Sequence, residues 1–278
     1  MLTIPSETAE QLAARVREVI LQFSVDPQHI LDLLRITRGL ISGSAALLMV
    51  TDMEFHPGDL DIYVPASQDK TALSLAQKRL GYELKSSSAR TYENNAEIKR
   101  VHLLVKGHNK INIITTKGEN AAIAVFRFHS TVVMNILTAW GLYCAYPSLT
   151  LKGKGVANLP VMLAEASYTL RTRECYEKYR NRGVEIENKV NNFPEHATHN
   201  CHTSAECPYT IRSTSDGKGL YTELFERPPH EAQRQDLNEY TTIWMMGGPM
   251  CSTGSTFCTG FTKSIRSLLK TVSLYPKH

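Results

Sequence analysis

Two aspartates flanking a single leucine, Asp59 and Asp61, open the run "DLDIYV", and a glycine-serine pair, Gly43 and Ser44, stands upstream with fourteen residues between Ser44 and Asp59. Residues i and i+2 of a strand point the same way, so these carboxylates can converge on one hard cation, Mg2+ or Mn2+. A glycine ahead of a serine lets the backbone come close to a phosphate. The serine hydroxyl, the backbone amides and the N-terminus of a helix starting near Ala45 can then hold phosphate oxygens. Asp-apolar-Asp and Gly-Ser also occur in ordinary strands and loops. What points to a nucleotide and metal site is their order, the short helix between them, and the placement of the acids at the start of an apolar strand.

Such a pair needs a strand, turn, helix, loop and strand to position it, and "GLISGS", "AALLMV", "HPG" and "DLDIYV" read in that order. Upstream, "IPSETAEQLAARVREVILQF" and "DPQHILDLLRIT" carry apolar residues at helical spacing, with Ser6 and Asp26 as caps and Pro27 at a first helical position. Downstream, "SQDKTALSLAQKRLG" predicts a helix stopped by Gly81. "GYELKSS", "IKRVHLLVK" and "KINIITT" predict strands, the last two joined by a hairpin at "GHN". "FHSTVVMNILTAWGLYCAY" and "NLPVMLAEASYTLRTRECYEKYRNRG" are read as helices, and residues 190–260 as loop-rich. The reading is therefore an α/β (α+β) fold: a mixed sheet flanked by helices over residues 35–127, a helical segment before it (1–34), and a helical, irregular Cys/His-bearing region after it (128–278).

"ISGS…GDLDIYV" resembles the signature of the polymerase-β-like nucleotidyltransferase superfamily, with a slightly long spacing. "SGSAALLMV", "DLDIYV", "KINIITTKG", "FHSTVVMNILTAWGLYCAYPSLT" and "CYEKYRNRG" are similar to nucleotidyltransferase-like proteins of mushroom-forming fungi, over about residues 35–185. The resemblance implies a phosphate-binding turn at Gly43 and Ser44 and metal ligands at Asp59 and Asp61. It also implies a third carboxylate on a later strand that helps hold the catalytic metal and deprotonates the attacking hydroxyl. On "KINIITT" the corresponding inward residue is Asn112, which has a carbonyl oxygen but neither charge nor basicity. Glu97 and His102 are alternative bases if the hairpin folds over the site. Two functions follow. One is a transferase moving a nucleoside monophosphate from a nucleoside triphosphate to a hydroxyl of RNA, protein or a small molecule. The other is an inactive nucleotide-binding or scaffold protein.

Secondary candidates each have a plainer explanation. His129, Ser130 and Thr131 can line a nucleotide pocket or simply cap a helix; Lys110 and Lys117 can meet phosphates or stay solvated; Tyr143 and Tyr146 can stack on a base or sit in the core. The basic residues of "CYEKYRNRGVEIENK" are interleaved with Glu174, Glu177 and Glu185, as on a solvated face. In the tail, Cys201 and Cys207 are separated by five residues and Cys251 and Cys258 by six, with His196, His199 and His202 beside the first pair. They are candidates for a structural Zn2+ site, although their spacing is wider than the usual close pairs.

The 278 residues carry a net charge of +4, which permits anionic partners without the signature of a nucleic-acid-binding protein. No apolar run approaches the roughly 20 residues that span a bilayer, and the N-terminus does not read as a signal peptide. The expectation is an intracellular protein, cytoplasmic or nuclear, without a membrane partner and with free thiols rather than a disulfide framework.

Overall fold

The computed structural model describes residues 8–24, 26–88, 96–163, 170–228, 240–249, 251 and 257–264. Helix α1 (Ala9–Leu21) starts with a reciprocal cap: Gln11 N donates to Thr8 Oγ1 at 3.2 Å, and Thr8 N donates to Gln11 Oε1 at 2.8 Å. Ser6, the cap expected from the sequence, lies outside the described residues. Helix α2 (Pro27–Thr37) begins as expected, with Pro27 in its first turn and Asp26 Oδ1 accepting from Gln28 N at 2.9 Å. The chain then runs through β1 (Leu40–Ser42), α3 (Gly43–Val50), β2 (Leu60–Val64), α4 (Asp69–Lys78), β3 (Glu83–Ser88), β4 (Ile98–Lys106) and β5 (Asn109–Thr116).

These strands join β6 (Asn135–Leu137), β7 (Gly141–Cys144) and β11 (Leu220–Glu223) in one mixed sheet of order β11-β7-β6-β1-β2-β5-β4-β3. Only β2 and β5 pair in parallel within it. Strand alternation divides the core. Leu60, Ile62, Val64, Ile111 and Ile113 pack into one apolar cluster with buried residues of α1 to α4. Tyr63, Ile114, Leu40 and Ile136 pack into the other, with Phe126 and Trp244. Phe126 belongs to a 3-10 segment, Ala121–Arg127, and stacks on Trp244 with ring centroids 4.0 Å apart. The 3-10 segment and Trp244 thus cover much of the second face, and Asp61 and Asn112 lie on it.

Two readings of the sequence are corrected. Residues 128–146 do not form a helix: after a 3-10 turn at Thr131–Val133 they form the β6-β7 hairpin, with Leu142 opposite Leu137. Both faces of this hairpin are buried, so its apolar residues run almost continuously and mimic a helical stripe. Beyond residue 190 the chain is not only loop. β10 (Arg212–Ser213), β12 (Thr242–Pro249) and β13 (Phe257–Ser264) form a second antiparallel sheet. Between the sheets lie α5 (Pro147–Thr150), β8 (Lys154–Val156), α6 (Leu159–Leu163), α7 (Leu170–Asn181) and β9 (Glu185–Glu187). The long helix read over this stretch is described only at its two ends, α6 and α7; residues 164–169 lie outside the described residues. No described helix is long and apolar enough to cross a membrane.

Candidate functional site

Asp61 lies on β2 directly opposite Asn112 of β5, and Asp59 immediately precedes β2. Asn112 Nδ2 donates to both carboxylates, to Asp59 Oδ2 at 3.0 Å and to Asp61 Oδ1 at 2.9 Å. A neutral amide therefore uses its two N–H groups to hold two acids on one point, offsetting part of their mutual repulsion.

Strand β1 brings the Gly43 turn to the same place, because Ser42 pairs with Asp61. Gly43 has φ +73°, and a Cβ added there would meet Asp61 Oδ2 at 2.8 Å. Both facts require glycine: other L-residues are strained in this backbone region, and any side chain would displace the carboxylate. Gly43→Ala is expected to cost about 1–2 kcal/mol of stability from the backbone strain alone. Urea unfolding would measure this, and an unchanged midpoint would contradict it.

These residues floor a cavity of about 310 Å³. Its walls come from Arg127 and His129, and from Met162 of α6 and Cys175, Lys178 and Tyr179 of α7. Arg182, just past α7, extends the basic side. Its guanidinium packs 4.1 Å above the Phe55 ring, donates to the His56 carbonyl at 3.3 Å and feels the charge of Asp59. Arg127 Nε, His129 Nδ1 and Arg182 Nη1 are buried without hydrogen-bond partners. The His129 ring keeps some surface toward the cavity while its Nδ1 is beyond solvent. Burial, assisted by the charge of Lys178, pushes its pKa down to about 4, so the imidazole is neutral near pH 7. Two acids and a basic rim with unpartnered donors suit a ligand that brings both a cation and phosphate-like oxygens.

The remaining candidates are dispersed. Ser44 is buried in the first turn of α3 and does not line the cavity, although its backbone follows the Gly43 turn. Ser130 is buried with an unpartnered Oγ and precedes a single 3-10 turn rather than a helix; it does not line the cavity either. Lys110 shares the Asn112 face of β5 but is exposed, outside the cavity wall. Lys117 lies just past β5, its N–H bonded to the Glu97 carbonyl. His102 pairs in register with Ile113 and so faces the other side of the sheet, where Nε2 meets Asp69 Oδ1 at 2.9 Å and Nδ1 meets Ser87 Oγ. It cannot act on the Asp59 and Asp61 side, and Glu97 is not in the cavity wall. Tyr143 and Tyr146 are core residues; the Tyr146 hydroxyl accepts from Trp244 Nε1 at 2.8 Å.

The thiols also sort themselves. All six cysteines are free. Cys201, Cys207 and Cys251 gather with His199, their ligand atoms all within 4.8 Å of one another. Cys258 stands apart on β13, its thiol directed at the Thr259 carbonyl. The four-cysteine set is thus corrected to three cysteines and a histidine.

Sequence reasoning missed Arg127, Lys178, Tyr179 and Cys175. Their signal was present: 175, 178 and 179 have the i, i+3, i+4 spacing of one helix face, with Glu174 and Glu177 turned away from the cavity. No protein-family profile, curated protein or solved structure matches the chain.

Proposed function

We propose that this protein binds the magnesium complex of a nucleoside triphosphate in the cavity floored by Asp59, Asp61 and Asn112, in the manner of the nucleotidyltransferases its sequence resembles. The observation that carries this reading is the convergence of two carboxylates beside a left-handed glycine turn, under a rim containing Arg127 and Lys178. The donor set fits magnesium. Both carboxylates supply hard oxygens, and rotation of the Asn112 amide would replace its donor group with a third oxygen. Asp59 and Asp61 would hold the cation, which when bound supplies positive charge against the phosphates. The backbone at Gly43 and Ser44 offers amides to phosphate oxygens. Arg127 and Lys178 add charge, and neutral His129 can accept or donate one hydrogen bond without carrying charge into the pocket.

In a working enzyme this arrangement would transfer a nucleoside monophosphate to a hydroxyl of RNA, protein or a small molecule. Asn112 favours a second reading, nucleotide binding without transfer. It contributes no base to deprotonate the acceptor and leaves two acids where such transfers draw on three.

Titration with each magnesium nucleoside triphosphate is expected to stabilise the chain, by about 2.7 kcal/mol at a ligand concentration a hundredfold above Kd. Asp59→Ala should abolish that gain. No thermal shift with any of the four nucleotides at millimolar concentration would refute binding. Transfer of label from an α-phosphate-labelled nucleotide, lost in Asp59→Ala, would decide for the enzyme over the inactive binder.

A further inference from the structure

We infer that His199, Cys201, Cys207 and Cys251 bind one structural zinc ion, at a site separate from the nucleotide cavity. A tetrahedral site with Zn–S bonds of about 2.3 Å and Zn–N bonds of about 2.0 Å places sulfurs about 3.8 Å apart and a sulfur and a nitrogen about 3.5 Å apart. Cys207 Sγ and Cys251 Sγ are 3.8 Å apart, and Cys201 Sγ and His199 Nε2 are 3.5 Å apart. These are two opposite edges of that tetrahedron, and all the ligand atoms lie within 4.8 Å of one another.

The histidine is also set for the task. His199 Nδ1 lies 3.0 Å from the His196 carbonyl, so it carries the proton and donates it there, leaving the Nε2 lone pair directed at the three sulfurs. Carbonyl-oriented imidazoles of this kind are the usual companions of metal-bound histidine.

The placement of the ligands explains what zinc would do. His199, Cys201 and Cys207 come from a turn-rich segment with little apolar core, in which Cys207 is buried and Cys201 exposed. Cys251 comes from just beyond the end of β12, and Asn191 Nδ2 donates to its carbonyl at 3.2 Å. A metal ion held by all four would fasten the 199–207 segment to the second sheet, replacing the hydrophobic burial this segment lacks. Binding would release the three thiol protons to solvent, so it weakens as pH falls.

The full chain, purified without chelator, should contain about one equivalent of zinc by elemental analysis. Cobalt added to the demetallated chain should give the intense visible absorption of a tetrahedral thiolate site. Cys201→Ser, at an exposed position, should lose most of the zinc and the cobalt spectrum, whereas Cys258→Ser should keep both. Three results would overturn the inference: zinc below about half an equivalent in the wild type, equal zinc loss in Cys258→Ser and Cys201→Ser, or a Cys207 to Cys251 disulfide in the freshly purified chain. Because the readouts are zinc content and cobalt absorption, they are independent of whether the magnesium-nucleotide proposal stands.

Discussion

Arg212→Ala is expected to destabilise the chain by about 3–5 kcal/mol, the scale for removing one member of a buried ion pair. The Arg212 side chain has no exposed surface, and that of Asp216 is 16% exposed. Its Nε donates to Asp216 Oδ2 at 2.6 Å, Nη1 to the Ala205 carbonyl at 2.9 Å and Nη2 to the Ala145 carbonyl at 3.0 Å. The guanidinium also lies 4.9 Å from the Tyr146 ring centroid and 5.3 Å from that of Trp244. One side chain therefore ties the turn after β10 to the end of β7 and to the aromatic core of the second face. Alanine would leave the partly buried Asp216 without its cationic partner, along with two carbonyls and a void against two rings.

The pH dependence gives this expectation a sign. Burial alone would raise the Asp216 pKa, but the Arg212 hydrogen bond and charge, together with the Ser213 and Lys218 backbone amides, outweigh it and hold the carboxyl below the usual range. A depressed folded pKa contributes stability above the unfolded value of about 3.9 and loses it as pH falls through the folded value. In Arg212→Ala the burial effect is opposed only by the Ser213 and Lys218 backbone amides, so the carboxyl pKa should rise relative to wild type. The difference between wild type and variant should thus be large at neutral pH and shrink below about pH 4. Denaturant unfolding at the two pH values would test this; a difference that is small at pH 7, or that grows in acid, would refute the ion pair's role. Asp216→Leu added to Arg212→Leu should recover part of the loss, because it removes the stranded charge.

The difference between this ion pair and the cavity over Asp59 and Asp61 shows which features are legible in a sequence. Asp59, Asp61 and Gly43 are close in the chain, and their strand and turn are set by local alternation and by the glycine itself; "DLDIYV" folds where its pattern puts it. Asn112 was legible for the same reason, since "KINIITT" alternates and only one polar residue can face Asp61. The cavity rim was harder to read, because the helical spacing of Cys175, Lys178 and Tyr179 marks a face without saying what it packs against, and Arg127 reaches the rim through long-range packing alone. The β6-β7 hairpin was misread because a strand buried on both faces carries no period at all. The metal candidates fall between these cases. Cysteine spacing suggested the tail cluster and placed Cys201, Cys207 and the nearby His199 together, but it could not show that Cys251 joins them from just beyond β12 while Cys258 does not.

Asn112→Asp should move this chain furthest in function. Without a divalent cation, the variant places a third carboxylate where Asn112 Nδ2 now serves the other two, so at least one of the three acids must have a raised pKa. A raised folded pKa leaves stability intact below the unfolded value and costs it as pH rises toward the folded one. The variant in chelator should therefore match wild type near about pH 4 and be weaker than it near pH 7. Magnesium should reverse the deficit, because three oxygens then face one cation instead of each other, and its affinity should rise by at least about tenfold. If wild type binds magnesium nucleotide without transferring label and Asn112→Asp acquires transfer, the missing carboxylate is what separates this chain from an enzyme. If wild type already transfers label, the base lies elsewhere in the cavity and the inactive reading falls. A variant that is no weaker in chelator and no tighter for magnesium would show that residue 112 does not share a site with Asp59 and Asp61, which would remove the structural basis for either reading.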